Sequence, residues 1–117
     1  MGRLTTHVLD TAHGKPGAGM ALKLLRRAGD RHEMIKSLMT NADGRADEAL
    51  LEGDALRPGC YRLVFAAGAY FRRLGVVLPD PPFIDEVVLD FGVADAAASY
   101  HVPLLVSPWS YSTYRGS

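Results

Sequence analysis

The chain has 117 residues in which thirteen basic and thirteen acidic side chains cancel, so no long-range field draws it to nucleic acid or to an anionic membrane. That length suits one domain, 1–117, able to bury about two thirds of its unfolded surface without a staple, and the one cysteine excludes an intramolecular disulfide and a cysteine-cluster metal site. Nowhere do eighteen apolar residues run together, and the opening residues MGRLTTH hold no apolar leader core, so a cytoplasmic protein with no membrane span is expected.

Residues 4–10 (LTTHVLD) are β-branched and apolar, with Thr5, His7 and Leu9 on one face of a strand and Leu4, Thr6 and Val8 on the other. Residues 11–19 hold three glycines and a proline and form a loop. Residues 20–27 are ambiguous. Met20, Leu22 and Leu24 alternate as in a strand, but Ala, Leu, Lys and Arg favour helix, and residues 32–39 carry the same conflict. Residues 40–45 (TNADGR) form a tight turn, because Asn and Asp bond their own backbone and Gly accepts positive φ, so Arg45 leaves it in a defined direction.

After the break at residues 57–59 (RPG), residues 60–67 alternate Tyr61, Leu63 and Phe65 against Arg62 and Val64, a strand in which Cys60 is expected as a buried, inert thiol. Residues 68–75 form a short helix closed by Gly75. Prolines at 79, 81 and 82 forbid regular structure, and residues 83–91 resume as a strand. Residues 100–106 form another, in which Pro103 demands an edge or an irregular pairing. Residues 107–117 (SPWSYSTYRGS) read as a final strand with Trp109, Tyr111 and Thr113 on one face and Ser110, Ser112 and Tyr114 on the other. Seven or eight strands at hairpin spacing with at most one short helix define an all-β chain, a two-sheet antiparallel sandwich.

No nucleophile elbow, phosphate loop, HExxH or dinucleotide fingerprint occurs. His7 and His101 sit mid-strand among apolar neighbours, either as satisfied core histidines or as groups that exchange protons near neutral pH. No carboxylate or cysteine accompanies either at ligand spacing, so no metal site is expected. His13 and His32 read as solvated loop or edge histidines. Arg45 is a solvated turn arginine or a fork of donors for a polar ligand. Tyr114 and Arg115 face solvent or wall a ligand site.

Three stretches carry a resemblance: residues 4–10 (LTTHVLD), 40–45 (TNADGR) and 100–117 (YHVPLLVSPWSYSTYRGS). Together they resemble the 5-hydroxyisourate hydrolases, the transthyretin-related enzymes of urate breakdown, over practically the whole chain. The terminal YRGS is the most specific part, because it separates the hydrolases from the hormone-carrying transthyretins. The resemblance implies a transthyretin-like sandwich with one short helix, which makes residues 20–27 and 32–39 strands. It implies a homotetramer, a dimer of dimers whose central channel is lined by the final strand, with Ser110, Ser112 and Tyr114 turned toward ligand and partner subunits. His7, Arg45 and His101 match the family's catalytic set. Substrate binding is expected from His7, Arg45, Tyr114, Ser112 and Ser117, and neither cofactor nor metal is expected. The implied reaction is hydrolysis of the N1–C6 bond of 5-hydroxyisourate to 2-oxo-4-hydroxy-4-carboxy-5-ureidoimidazoline in purine degradation. The alternative is a non-catalytic sandwich that binds a small aromatic ligand, and a purely structural domain is a third reading. The segment 78–82 looks shorter than in many family members, which bears on loop shape alone.

Overall fold

The computed structural model describes residues 1–116, which form two packed sheets and one short helix. In chain order the strands are β1 (Arg3–Asp10), β2 (Lys15–Pro16), β3 (Ala21–Ala28), β4 (Arg31–Met39), β5 (Leu51–Glu52), β6 (Gly59–Phe65), β7 (Val87–Val93), β8 (Tyr100–Val106) and β9 (Tyr111–Ser112), with helix α1 (Ala67–Arg73) between β6 and β7. The first sheet runs β2-β1-β8-β9 with β5 also paired to β1, and the second runs β4-β3-β6-β7.

Both ambiguous stretches are strands. β3 lies between β4 and β6, with Leu22 and Leu24 fully buried, so burial on the sheet overrides the helical preference of its Lys, Arg and Ala. The inner faces of the two sheets supply the core: Leu4, Val8, Leu104 and Val106 from the first meet Leu22, Leu24, Leu63 and Phe65 from the second, with Phe71 of α1 closing one end. Truncating a side chain such as Phe71 to Ala should cost about 3–5 kcal/mol, because such a site is close-packed.

Helix α1 stops where Gly75 was expected to stop it. Gly75, at φ 85°, donates its N–H to the Arg72 carbonyl at 2.9 Å, and Val76 donates to the Phe71 carbonyl at 3.1 Å, a complete Schellman ending. The strand read over 83–91 instead spans Val87–Val93. Residues 84–85 are drawn off toward the helix, where Gly68 donates its N–H to the Asp85 carbonyl and Ile84 is buried.

Other expectations are corrected. Cys60 is exposed, because Tyr61, Leu63 and Phe65 take the inner face of β6 and alternation turns Cys60 outward with Arg62. β1 and β8 run parallel, the one such pair among otherwise antiparallel described pairings. After β7 the chain crosses back from the second sheet to the first, entering β8 at the end where β1 begins. There a side chain on Gly2 would collide with the backbone carbonyls of Ala96 and Ala98. The terminal strand is regular only over Tyr111–Ser112. Trp109 and Ser110 belong instead to a turn closed by the Ser107 N–H donating to the Ser110 carbonyl.

Candidate active site

Strand register decides which of the singled-out residues meet. Partners on neighbouring strands share a sheet face. In the parallel pair of β1 and β8, Thr5 lies beside His101, His7 beside Pro103 and Leu9 beside Leu105. Leu4, Thr6 and Val8 point into the core, so Thr5, His7 and His101 point out of the first sheet together, each half-buried.

Arg45 joins them from the other side of β1. Within residues 40–45 the Asn41 side-chain oxygen accepts the backbone N–H groups of Asp43 at 2.9 Å and Arg45 at 3.1 Å. Gly44, at φ 77°, lies so close to β1 that a side chain there would collide with the Val8 carbonyl oxygen. The Val8 N–H donates to the Gly44 carbonyl at 2.7 Å, and Arg45 forms an antiparallel bridge with His7, which puts its side chain on the His7 face. Among the described residues no hydrogen bond or ion pair holds the Arg45 guanidinium.

On the far side of β8, Ser112 pairs with Leu105 and Gly116 bridges His101, a single register that puts Tyr114 opposite Pro103. His7, Arg45, His101, Ser112 and Tyr114 therefore share one face of one sheet. Ser117 lies outside the described residues.

The two imidazoles have neutral partners. His7 Nε2 lies 2.9 Å from the Asp43 carbonyl oxygen, which can only accept, so Nε2 carries the proton and the lone pair of neutral His7 is on Nδ1. His101 Nδ1 lies 2.9 Å from Thr5 Oγ1, which leaves Nε2 as its unbound nitrogen. Burial lowers the pKa of His101 below the ordinary 6.5, and the positive charge of Arg45 and a protonated His7 push it the same way. His101 is thus neutral at pH 7 and able to accept a proton. Such a face offers one unbound ring nitrogen on each histidine beside one guanidinium, which is a layout for moving a proton while holding a polar or anionic oxygen. No group of three metal-ligating side chains occurs among the described residues.

Sequence reasoning missed two residues at this site, Thr5 and Gly116. Thr5 shares the strand face of His7 but reads as β-branched filler. Gly116 holds the terminal segment against His101, and its one sequence signal is its presence in the terminal YRGS; Arg115, expected to face solvent or wall a ligand site, instead donates to the Ser99 carbonyl. His13, read as solvated, in fact bonds the buried Asp10 carboxylate at 2.7 Å through Nδ1.

A two-sheet sandwich with imidazoles and a guanidinium exposed on one sheet defines a β-scaffold protein with a chemically competent face. The chain belongs to the HIUase/Transthyretin family, whose model matches residues 4–116. It is 62% identical over 117 residues to the 5-hydroxyisourate hydrolase of Ralstonia nicotianae, with both chains covered in full. It is 60% identical over 117 residues to that of Pseudomonas aeruginosa, covering all of this chain and 93% of the relative. The solved 5-hydroxyisourate hydrolase of Klebsiella pneumoniae superposes with a TM-score of 0.82 at 33% identity, each chain covered in full.

Proposed function

We infer that this protein hydrolyses 5-hydroxyisourate in the breakdown of urate. The observation that carries the mechanism is the convergence of His7, Arg45 and His101 on one sheet face through strand register alone. Water attacks C6 of the substrate as one of the two imidazoles accepts its proton. The water oxygen bonds to C6, the C6–N1 bond breaks, and the proton passes to N1, so the product 2-oxo-4-hydroxy-4-carboxy-5-ureidoimidazoline contains the substrate plus one water. Arg45, without a protein partner among the described residues, binds the polar ring and stabilises the oxyanion that develops at the attacked carbonyl. Tyr114, Ser112 and Ser117 complete the substrate-binding surface. A base of this kind contributes roughly a hundred- to ten-thousandfold in rate, and loss of an oxyanion donor costs about 3–4 kcal/mol.

The working form is a homotetramer in the cytoplasm, a dimer of dimers whose channel is lined by this face. Supporting it, the same face carries half-buried Leu9 and Leu105 beside the polar groups, and Trp109 and Tyr114 are 60% and 57% exposed on the adjoining terminal segment. Light scattering should give four times the 12.7 kDa chain mass.

The deciding experiment follows 5-hydroxyisourate, made in place from urate by urate oxidase, with and without catalytic amounts of the protein. Accelerated decay to a single enantiomer of the ring-opened product is expected. Decay at the spontaneous rate in the presence of the folded protein would overturn the hydrolase reading and favour a ligand-binding sandwich.

A further inference from the structure

The terminal segment crosses β8 with a gap in its ladder. Leu105 pairs with Ser112, and at the far end Gly116 donates its N–H to the His101 carbonyl at 2.7 Å while His101 donates back to the Gly116 carbonyl at 3.2 Å. Between them Pro103 has no N–H to give, and it is the Thr113 hydroxyl that donates to the Pro103 carbonyl, at 2.7 Å. A segment anchored so sparsely in its middle needs a separate hold at its end.

Arg115 supplies one. Its neighbours Tyr114 and Gly116 lie on the outer face, so alternation sends the Arg115 side chain to the other side of the strand. There its guanidinium lies 4.3 Å from the centre of the Tyr100 ring and Nη2 donates to the Ser99 carbonyl at 3.1 Å. Gly116 then rests against the His101 ring. A Cβ built there would lie 3.0 Å from both Cβ and Cδ2 of His101. The φ of Gly116 is not in the left-handed region, so what the position requires is room and not glycine's backbone freedom. Cδ2 is bonded to Nε2, so anything that pushes Cδ2 moves the unbound nitrogen. On the opposite side of the ring Thr5 Oγ1 meets Nδ1.

We propose that Thr5, Arg115 and Gly116 are positioning residues for the His101 imidazole: Thr5 fixes it through Nδ1, Gly116 leaves the slot for its Cδ2 edge, and Arg115 latches the terminal segment that forms the slot. This rests on the reading of His101 as a base in the hydrolysis. It gives the terminal Arg-Gly pair a mechanical task, Arg115 from the side of the sheet away from substrate and Gly116 beside the ring itself. Both charged groups that bear on His101 from β1 and its neighbouring turn, His7 and Arg45, stay in place in every variant of the test.

The test compares Thr5→Val, Thr5→Ser, Arg115→Met and Gly116→Ala with His101→Asn in the 5-hydroxyisourate assay, alongside thermal melts and imidazole 15N spectra of the full protein. Misplacing a reacting group by about 1 Å can cost on the order of a hundredfold in rate, so Gly116→Ala should lower kcat about a hundredfold with KM changed less than about threefold. Thr5→Val and Arg115→Met should each lower kcat about tenfold, and Thr5→Ser should restore it, since a second-sphere partner of a functional histidine is worth roughly that much. The His101 Nδ1 signal should shift in Thr5→Val. Wild-type kcat and unshifted His101 signals in folded Thr5→Val and Gly116→Ala, with His101→Asn inactive, would overturn the positioning proposal alone. A full rate in His101→Asn would instead overturn the reading beneath it.

Discussion

Two histidine environments in this molecule have opposite designs. At the end of β1, His13 donates its backbone N–H to Asp10 Oδ1 at 3.0 Å and meets Oδ2 at 2.7 Å through Nδ1, while the Tyr70 hydroxyl donates to the same Oδ2 at 2.8 Å. The Asp10 side chain is fully buried. On the outer face of the same sheet, His7 of β1 and His101 of β8 meet a carbonyl and a hydroxyl, with no carboxylate. A carboxylate commits an imidazole to one charged contact, whereas neutral partners orient the ring and leave its protonation responsive to what approaches. One sheet thus places a carboxylate-bound histidine just past the end of β1 and two histidines with neutral partners on its outer face.

The sharpest break of this comparison is by truncation. His7→Ala, His101→Ala and Arg45→Ala should each reduce turnover by about a hundred- to ten-thousandfold with nearly unchanged melting, because these groups face outward and hold up no core. His13→Ala should do the reverse, keeping turnover and losing about 1 kcal/mol of stability. A melt collapse in His7→Ala with turnover intact would mean the two designs had been assigned the wrong way round.

Next in size is the Asp10 network itself. Asp10→Asn turns an acceptor into a donor facing donors in a buried place, which should destabilise by about 3 kcal/mol, and Tyr70→Phe by about 1.5–3 kcal/mol. Turnover should survive in both, and denaturant melts with the decay assay check each. The network also sets an acid limit. Burial pushes the Asp10 carboxyl up, but the bonds from Tyr70 and His13 and the charge of a protonated His13 outweigh it, and its pKa falls below the ordinary 3.8. A depressed carboxylate contributes stability that is complete above its unfolded pKa and is lost as pH falls through its folded one. Wild-type melting should therefore drop more steeply than that of Asp10→Asn once the pH goes below about 4. Parallel curves would remove Asp10 from the account.

Much of the fold was legible because alternation is local. Tyr61, Leu63 and Phe65 announced the inner face of β6, and Gly75 announced the end of α1. Residues 20–27 were legible as a strand only through the family resemblance, since their own side chains prefer helix and it is the strands on either side, β4 and β6, that overrule them. The position of Cys60 followed from the same alternation that was read correctly at Tyr61, yet its apolar neighbours suggested burial. At the site, His7, Arg45 and His101 stood out as residues, but what joins the two histidines is a parallel pairing between segments 96 positions apart, and Arg45 comes in by its own bridge to His7. No pattern along one strand encodes that pairing. Thr5 escaped notice because a hydroxyl on a β-branched residue suits a strand with or without a role, and His13 because Tyr70, which closes its network, lies 60 positions beyond Asp10.

The finest test of the comparison is a titration. Burial comes first among the causes that hold the His101 pKa down, and Arg45 and His7 add to it. Removing Arg45 removes one of the two charges but not the burial, so in Arg45→Ala the His101 imidazole should titrate higher than in the wild type yet still below 6.5. Because a depressed imidazole stays neutral until the pH falls through its folded pKa, the acid limb of wild-type kcat/KM should lie below pH 6.5. Arg62→Ala is the control: Arg62 sits on the outer face of the other sheet, bound to Asp90 at 2.7 and 2.9 Å, and its loss should leave the His101 titration where it was. An Arg45→Ala titration that coincides with the wild type would mean that the guanidinium stands too far from His101 for both to engage one substrate, and the shared face would then be a feature of register without chemical consequence.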